Sequence, residues 1–145
     1  LRDAGYADDR FDVITLFEIL EHLSDPLDLT AECARILKPG GVLVANTPNA
    51  ASWTARFMAG KWLGFSLVGL GGHASFCTPS SVRALAEAVG LEVARIETRN
   101  VRFCEPGQCP GAVYPFARLA AQLLAAPAKA LGQGHDLLVF LRKQG

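Results

Sequence analysis

Two things are scarce in this 145-residue chain: cysteine, and charge of either sign in excess. Its four cysteines, Cys33, Cys77, Cys104 and Cys109, are too few and too scattered for a disulfide framework, and only the last two stand near each other. A small disulfide-stapled scaffold is thereby excluded, and reduced thiols in a cytoplasmic protein are expected. The 14 Lys+Arg cancel the 14 Asp+Glu, so no broad positive field draws in nucleic acid or anionic membrane. A membrane span is lacking too. The longest stretch without Lys, Arg, Asp or Glu, residues 62–82, is interrupted by Gly64, Gly69, Gly71, Gly72, His73 and Pro79. Internal repeats and low-complexity tracts are absent. What is present is apolar: 50% of the residues are hydrophobic, enough at this length for one domain with a sizeable core.

Phe11 to Phe17 is nearly continuous in apolar and β-branched residues, which predicts a central strand covered on both faces. Asp25-Pro26 offers an N-cap and a first-turn proline, Leu29, Cys33, Ile36 and Leu37 form one apolar stripe, and Lys38-Pro39-Gly40-Gly41 ends the helix. Val42 to Asn46 is a second apolar strand, so strand, helix and strand make a right-handed βαβ unit. Residues 50–72, with Trp53, Phe57, Trp62 and Phe65, read as a cap-like insertion that Gly69 to Gly72 closes with a hinge. Thr78-Pro79 opens another helix with the stripe Val82, Leu85, Ala86 and Val89, closed by Gly90. A strand follows over Leu91 to Thr98. Next comes a helix with the stripe Phe116, Leu119, Ala120, Leu123 and Leu124, broken near Pro127, and Asp136 to Arg142 is the last strand. Such alternation places the chain in the α/β class. Leu1 in place of Met, with Arg2 to Arg10 leading straight into an apolar run, reads as a piece of a longer chain.

The chemistry-bearing residues gather after the first strand. Glu18, Glu21 and His22 lie at offsets of three and four, which puts them on one side of a helical turn. Two carboxylates and an imidazole suit Mg²⁺, Mn²⁺ or Zn²⁺, and without an ion His22 would act alone as a general base. Cys104 and Cys109, a C-x₄-C pair without a second pair, fall short of a zinc site and are expected to be free thiols.

Four segments, Phe11 to Pro26, Arg35 to Asn49, His73-Ala-Ser-Phe-Cys-Thr-Pro79 and Ala88-Val-Gly-Leu-Glu-Val93, together resemble the class I S-adenosylmethionine-dependent methyltransferases. The resemblance implies a partial Rossmann-like methyltransferase sheet. Its fourth to seventh strands would be present, the last antiparallel, with flanking helices. Residues 1–145 would then form the C-terminal, substrate-side part of the domain. It also implies that Phe17 lies beside the cofactor and that Thr47-Pro48-Asn49 borders the substrate. The family's glycine-rich turn and the acidic residue ending its second strand have no counterpart here. The Glu-x-x-Glu-His pattern is similar to that of ubiquinone-biosynthesis O-methyltransferases and of small-RNA 2′-O-methyltransferases, where a divalent ion grips the acceptor. In the latter a later His five residues before a Thr completes the set, as His73 precedes Thr78. The metal ligands implied are Glu18, Glu21, His22 and His73.

The function expected is methyl transfer from S-adenosylmethionine to an oxygen, or in second place a nitrogen, of a small-molecule acceptor, with the chain alone inactive. Two alternatives stand beside it. One is a degenerate methyltransferase fold serving as a binding or assembly module, and the other a metal-dependent RNA 2′-O-methyltransferase, which the zero net charge opposes. The strand from Phe11 to Phe17, with its upstream neighbour missing, is expected to pair with a second copy.

Overall fold

The computed structural model describes residues 4–59, 62, 73–104 and 110–145. Among the described residues four strands and four helices follow in the order β1 (Phe11–Phe17), α1 (Pro26–Ile36), β2 (Leu37–Pro48), α2 (Trp53–Met58), α3 (Pro79–Ala88), β3 (Leu91–Arg99), α4 (Tyr114–Ala130) and β4 (Asp136–Lys143), with a short 3₁₀ turn at Leu20–His22. The sheet order is β1-β2-β4-β3. β1 and β2 are parallel, and β4 runs antiparallel between β2 and β3, so the last strand is inverted as expected.

Local chemistry explains most of the boundaries. Asp25 accepts hydrogen bonds from the backbone N–H of Leu27 and of Asp28, and Pro26 fills the first turn of α1. At α3 a full capping box forms. Thr78 Oγ1 accepts from Ser81 N–H, the Ser81 hydroxyl oxygen accepts from Thr78 N–H, and Gly90 leaves the helix at a φ of +71°. The segment 38–41 does not merely end α1. It forms a bulge inside β2, whose register with β1 jumps from Phe11↔Leu37 to Val13↔Val42. Gly41 is required there, because a Cβ would meet Lys38 O at 2.8 Å.

The core lies between the sheet and the pair α1 and α3. Cys33, Ala34 and Leu37 meet Val82, Ala86 and Leu91 over Leu43, Ala45, Leu137, Val139 and Leu141. Cys33 and Cys77 are free and buried, and burial pushes the Cys33 thiol up to about 11, so it is inert as a nucleophile at neutral pH.

Several expectations are corrected. β1 is an edge strand and not a central one. Among the described residues it pairs with β2 alone, and Val13 and Phe17 are 58% and 55% exposed. Thr47 and Asn49 are both fully buried, Thr47 still within β2. The Asn49 side chain donates to Gly134 O at 2.8 Å and accepts from Ala51 N–H at 3.0 Å, knitting the end of β2 to the segment before β4. Losing such a buried pairing costs about 1–3 kcal/mol.

α4 runs through Pro127 to Ala130, and its expected apolar stripe forms but points outward, with Phe116, Leu119 and Leu123 exposed. Cys104 is disulfide-bonded, against the expectation of a free thiol. Counting and scatter of cysteines argue against a framework but do not decide on a single bridge. Cys109, and with it Phe65 and the hinge reading of Gly69 to Gly72, lies outside the described residues.

Candidate functional site

The chain leaves β1 through a strained residue. Glu18 adopts a φ of +53°, a left-handed conformation that costs a residue with a side chain on the order of 1 kcal/mol or more. Asn46 holds it from both sides: its carbonyl accepts the Glu18 N–H at 2.9 Å, and its Nδ2 donates to the Glu18 carboxyl. The backbone then folds into the 3₁₀ turn Leu20–His22, closed by His22 N–H on the carbonyl of Ile19 at 3.0 Å. Leu20 anchors this turn in the core.

Glu21 follows Leu20 inward. It is 2% exposed, which is rare for a carboxylate without a countercharge. Its Oε2 accepts the Thr47 hydroxyl at 2.9 Å, and its Oε1 is buried without a hydrogen-bond partner. Burying a carboxylate oxygen in this way costs several kcal/mol unless a proton or a cation compensates it.

The same residue recruits the distant histidine through its backbone. Its carbonyl accepts the N–H of Ala74 at 2.7 Å and of Ser75 at 3.0 Å, and the Ser75 hydroxyl donates to Leu23 O. Further along, Cys77 bridges Asn49 in parallel with the end of β2, and Ala50 N–H reaches Cys77 O at 2.9 Å. His73 is thereby set edge-on against His22, with ring centroids 5.0 Å apart.

Of the four expected ligands, Glu18, Glu21 and His22 from spacing and His73 from the resemblance, the structure brings three together. One ligand atom each of Glu21, His22 and His73 lie within 4.8 Å of one another, graded from buried through exposed to half-buried. Glu18 is not in that set; its carboxyl is turned to Asn46 and lies beside Glu21. Burial first, and then the neighbouring Glu21, push Glu18 up to about 7. Phe17 stands exposed at the end of β1, one residue before the turn.

Thr47 is the residue that spacing arguments missed, although a signal was available. Period-2 alternation in β2 puts Leu43, Ala45 and Thr47 on one buried face, and a hydroxyl on a core face requires a buried partner.

The Glu18 shift has a measurable consequence. Folded Glu18 keeps its proton up to about pH 7, whereas the unfolded chain releases it near 4.5, the ordinary value of a glutamate. The folded state therefore binds more protons across that window, and stability falls as pH rises through it. In metal-free buffer the urea midpoint is expected to drop between those two pH values, and Glu18→Gln to flatten the drop. An unchanged profile in the variant would show that another group titrates.

Comparison with known proteins bears on what this geometry is for. A family model described as a methyltransferase domain matches residues 1–96, well over half of the chain. The ubiquinone biosynthesis O-methyltransferase of Thiobacillus denitrificans is 37% identical over 86 residues, covering 57% of this chain and 37% of the relative. That of Idiomarina loihiensis is 38% identical over 85 residues, covering 57% and 35%. The chain thus spans just over a third of the length of these curated relatives. Among solved structures, a SAM-dependent methyltransferase from Archaeoglobus fulgidus superposes with a TM-score of 0.61 at 18% identity, over 97% of this chain and 62% of that one, which shows a shared fold. The four-stranded sheet with its inverted last strand is accordingly part of a Rossmann-like methyltransferase sheet, and the chain belongs to the class I S-adenosylmethionine-dependent methyltransferases.

Proposed function

We propose that this chain is the acceptor-side part of an enzyme that transfers a methyl group from S-adenosylmethionine to a hydroxyl oxygen of a small molecule. The observation that carries this reading is the buried, unpartnered Oε1 of Glu21 beside the imidazoles of His22 and His73. The relatives' names favour oxygen over nitrogen, since both are O-methyltransferases.

S-adenosylmethionine supplies a methyl group already activated as a sulfonium, so the protein's work is alignment, exclusion of water and removal of one proton. The residues present fit one wall of a cofactor site: Phe17 is exposed at the carboxyl end of β1, where open α/β sheets bind ligands. The other wall would need the glycine-rich turn and carboxylate that this sequence lacks. A divalent cation such as Mg²⁺ fits the second group. Glu21, His22 and His73 would hold it, with Glu18 beside them, and it supplies Lewis acidity toward a bound hydroxyl. Thr47 fixes Oε2 of Glu21 and leaves Oε1 for the site, while the bonds of Ala74 and Ser75 to the Glu21 carbonyl keep His73 in reach. His22 is exposed on the open side of the turn and is the group placed to accept the acceptor's proton if no cation is used.

In the intact enzyme, Glu21→Gln is expected to lower divalent-ion-stimulated turnover by about tenfold or more, since it keeps the shape of the side chain but not its charge. Turnover that survives complete chelation by EDTA contradicts the cation and leaves His22 as the base.

The open edge of β1 would join two copies of this chain, because an unpaired apolar strand with exposed Val13 and Phe17 is a template for strand addition. Light scattering is expected to find a dimer that Val13→Lys converts to monomer. A wild-type monomer at high concentration counts against this edge as an interface.

A further inference from the structure

β3 runs in the same direction as β2, since both are antiparallel to β4, so its carboxyl end lies at the same end of the sheet as Thr47. There Asn100 turns the chain at a φ of +58°, and a cavity of about 320 Å³ lies between residues 101–104 and the first half of α4. Small-molecule sites measure about 300–1,000 Å³, and open α/β sheets take their ligands at this end. β4 stands between β2 and β3, so this space is separate from the Glu21 cluster.

The sequence both leaves the space and fixes its walls. Tyr114, Ala117, Arg118 and Ala121 are spaced by three and four along α4 and share the face that lines the cavity, where Ala117 and Ala121 present only methyl groups. The opposite wall is held by α2. Thr54 Oγ1 accepts the N–H of Arg102 at 3.0 Å, and the rings of Phe57 and Phe103 meet edge-on with centroids 5.1 Å apart. Val101, which also lines the space, is buried, and Cys104 is disulfide-bonded. Walls already in place lower the ordering cost of binding.

Charge and rings together identify the ligand. Phe103, Tyr114, Arg102 and Arg118 all line the cavity, and among the described residues no Asp or Glu does. Lys129, the other cation of α4, acts on Glu97 of β3. Arg118 has neither a hydrogen bond nor an ion pair among the described residues, and residues 110–135 contain no Asp or Glu to supply one locally. A guanidinium presents paired N–H groups that match a carboxylate, and it stacks on aromatic faces. A neutral ligand would leave that charge unmatched, and a bare inorganic anion would leave the rings unused.

We propose that this cavity binds a small aromatic carboxylate, its ring against Phe103 and Tyr114 and its carboxylate on Arg118. Neither methyl transfer nor a cation at Glu21 is needed for it. Fluorescence titration of the protein with 2-naphthoate, in EDTA so that no divalent ion contributes, is the test. Saturable binding at one equivalent is expected, and 2-naphthamide, which has the same shape without the charge, should bind about tenfold more weakly. Arg118→Gln should remove that preference by weakening naphthoate alone; the position is exposed, so unchanged circular dichroism serves as the folding control. Ala121→Trp, which fills the space, should weaken both. No saturable binding, equal affinity for acid and amide, or a preference that survives Arg118→Gln overturns the proposal, as does binding that Ala121→Trp leaves unchanged.

Discussion

The hydrogen bonds that converge on Glu21 hold the site together. Its side chain is fixed by Thr47 from β2, and its carbonyl takes two N–H groups from residues 74 and 75. One buried residue thus joins the end of β1, the end of β2 and the segment that carries His73. Without these bonds the turn would still form, since Leu20 anchors it, but His73 would have no reason to sit against His22. The expense of the joint is a carboxylate in the interior with one oxygen unmatched, an arrangement that structural demands alone do not favour. The strained φ of Glu18 one turn earlier points the same way, because strain and unpaired polarity concentrate where function requires them.

The sheet places this joint where α/β proteins keep their ligands. β1 and β2 are parallel and end together, so Phe17, the 3₁₀ turn and Thr47 share the carboxyl end of the sheet. The inverted β4 beside β2 closes the core without adding a crossover at that end. Among the described residues two apolar surfaces are exposed, the open edge of β1 and the outer face of α4. They lie at opposite sides of the sheet and differ in chemistry, one an unpaired backbone ladder and the other a set of exposed apolar side chains.

Local signals made much of this legible in the sequence. The Asp25-Pro26 and Thr78-Pro79 caps, the stripe through Cys33 and Val82, and the apolar run of Val42 to Asn46 each state a short-range preference that the fold respects. Helical spacing also grouped Glu21 with His22. What spacing could not supply was direction. Glu18, at the offset that should have joined the cluster, leaves the helical conformation and turns to Asn46. The stripe of α4 was visible, yet nothing in a stripe says whether it faces a core or a partner. The run from Phe11 to Phe17 reads as covered on both faces, yet among the described residues it pairs with β2 alone, and an apolar pattern does not say which neighbours are present. The approach of His73 depends on pairing between residues fifty positions apart, beyond any local preference.

Metal coordination by the Glu21 cluster is the central claim, and spectroscopic titration of the chain with Co²⁺, above the pH at which Glu18 ionises, tests it most directly. The account predicts a saturable visible absorption at one equivalent, characteristic of histidine ligation. His73→Ala should abolish it, and Thr47→Val should weaken the affinity by about tenfold, because it frees Glu21 without removing a ligand. No saturable band, or one that persists unchanged when both His22 and His73 are replaced by alanine, would contradict it.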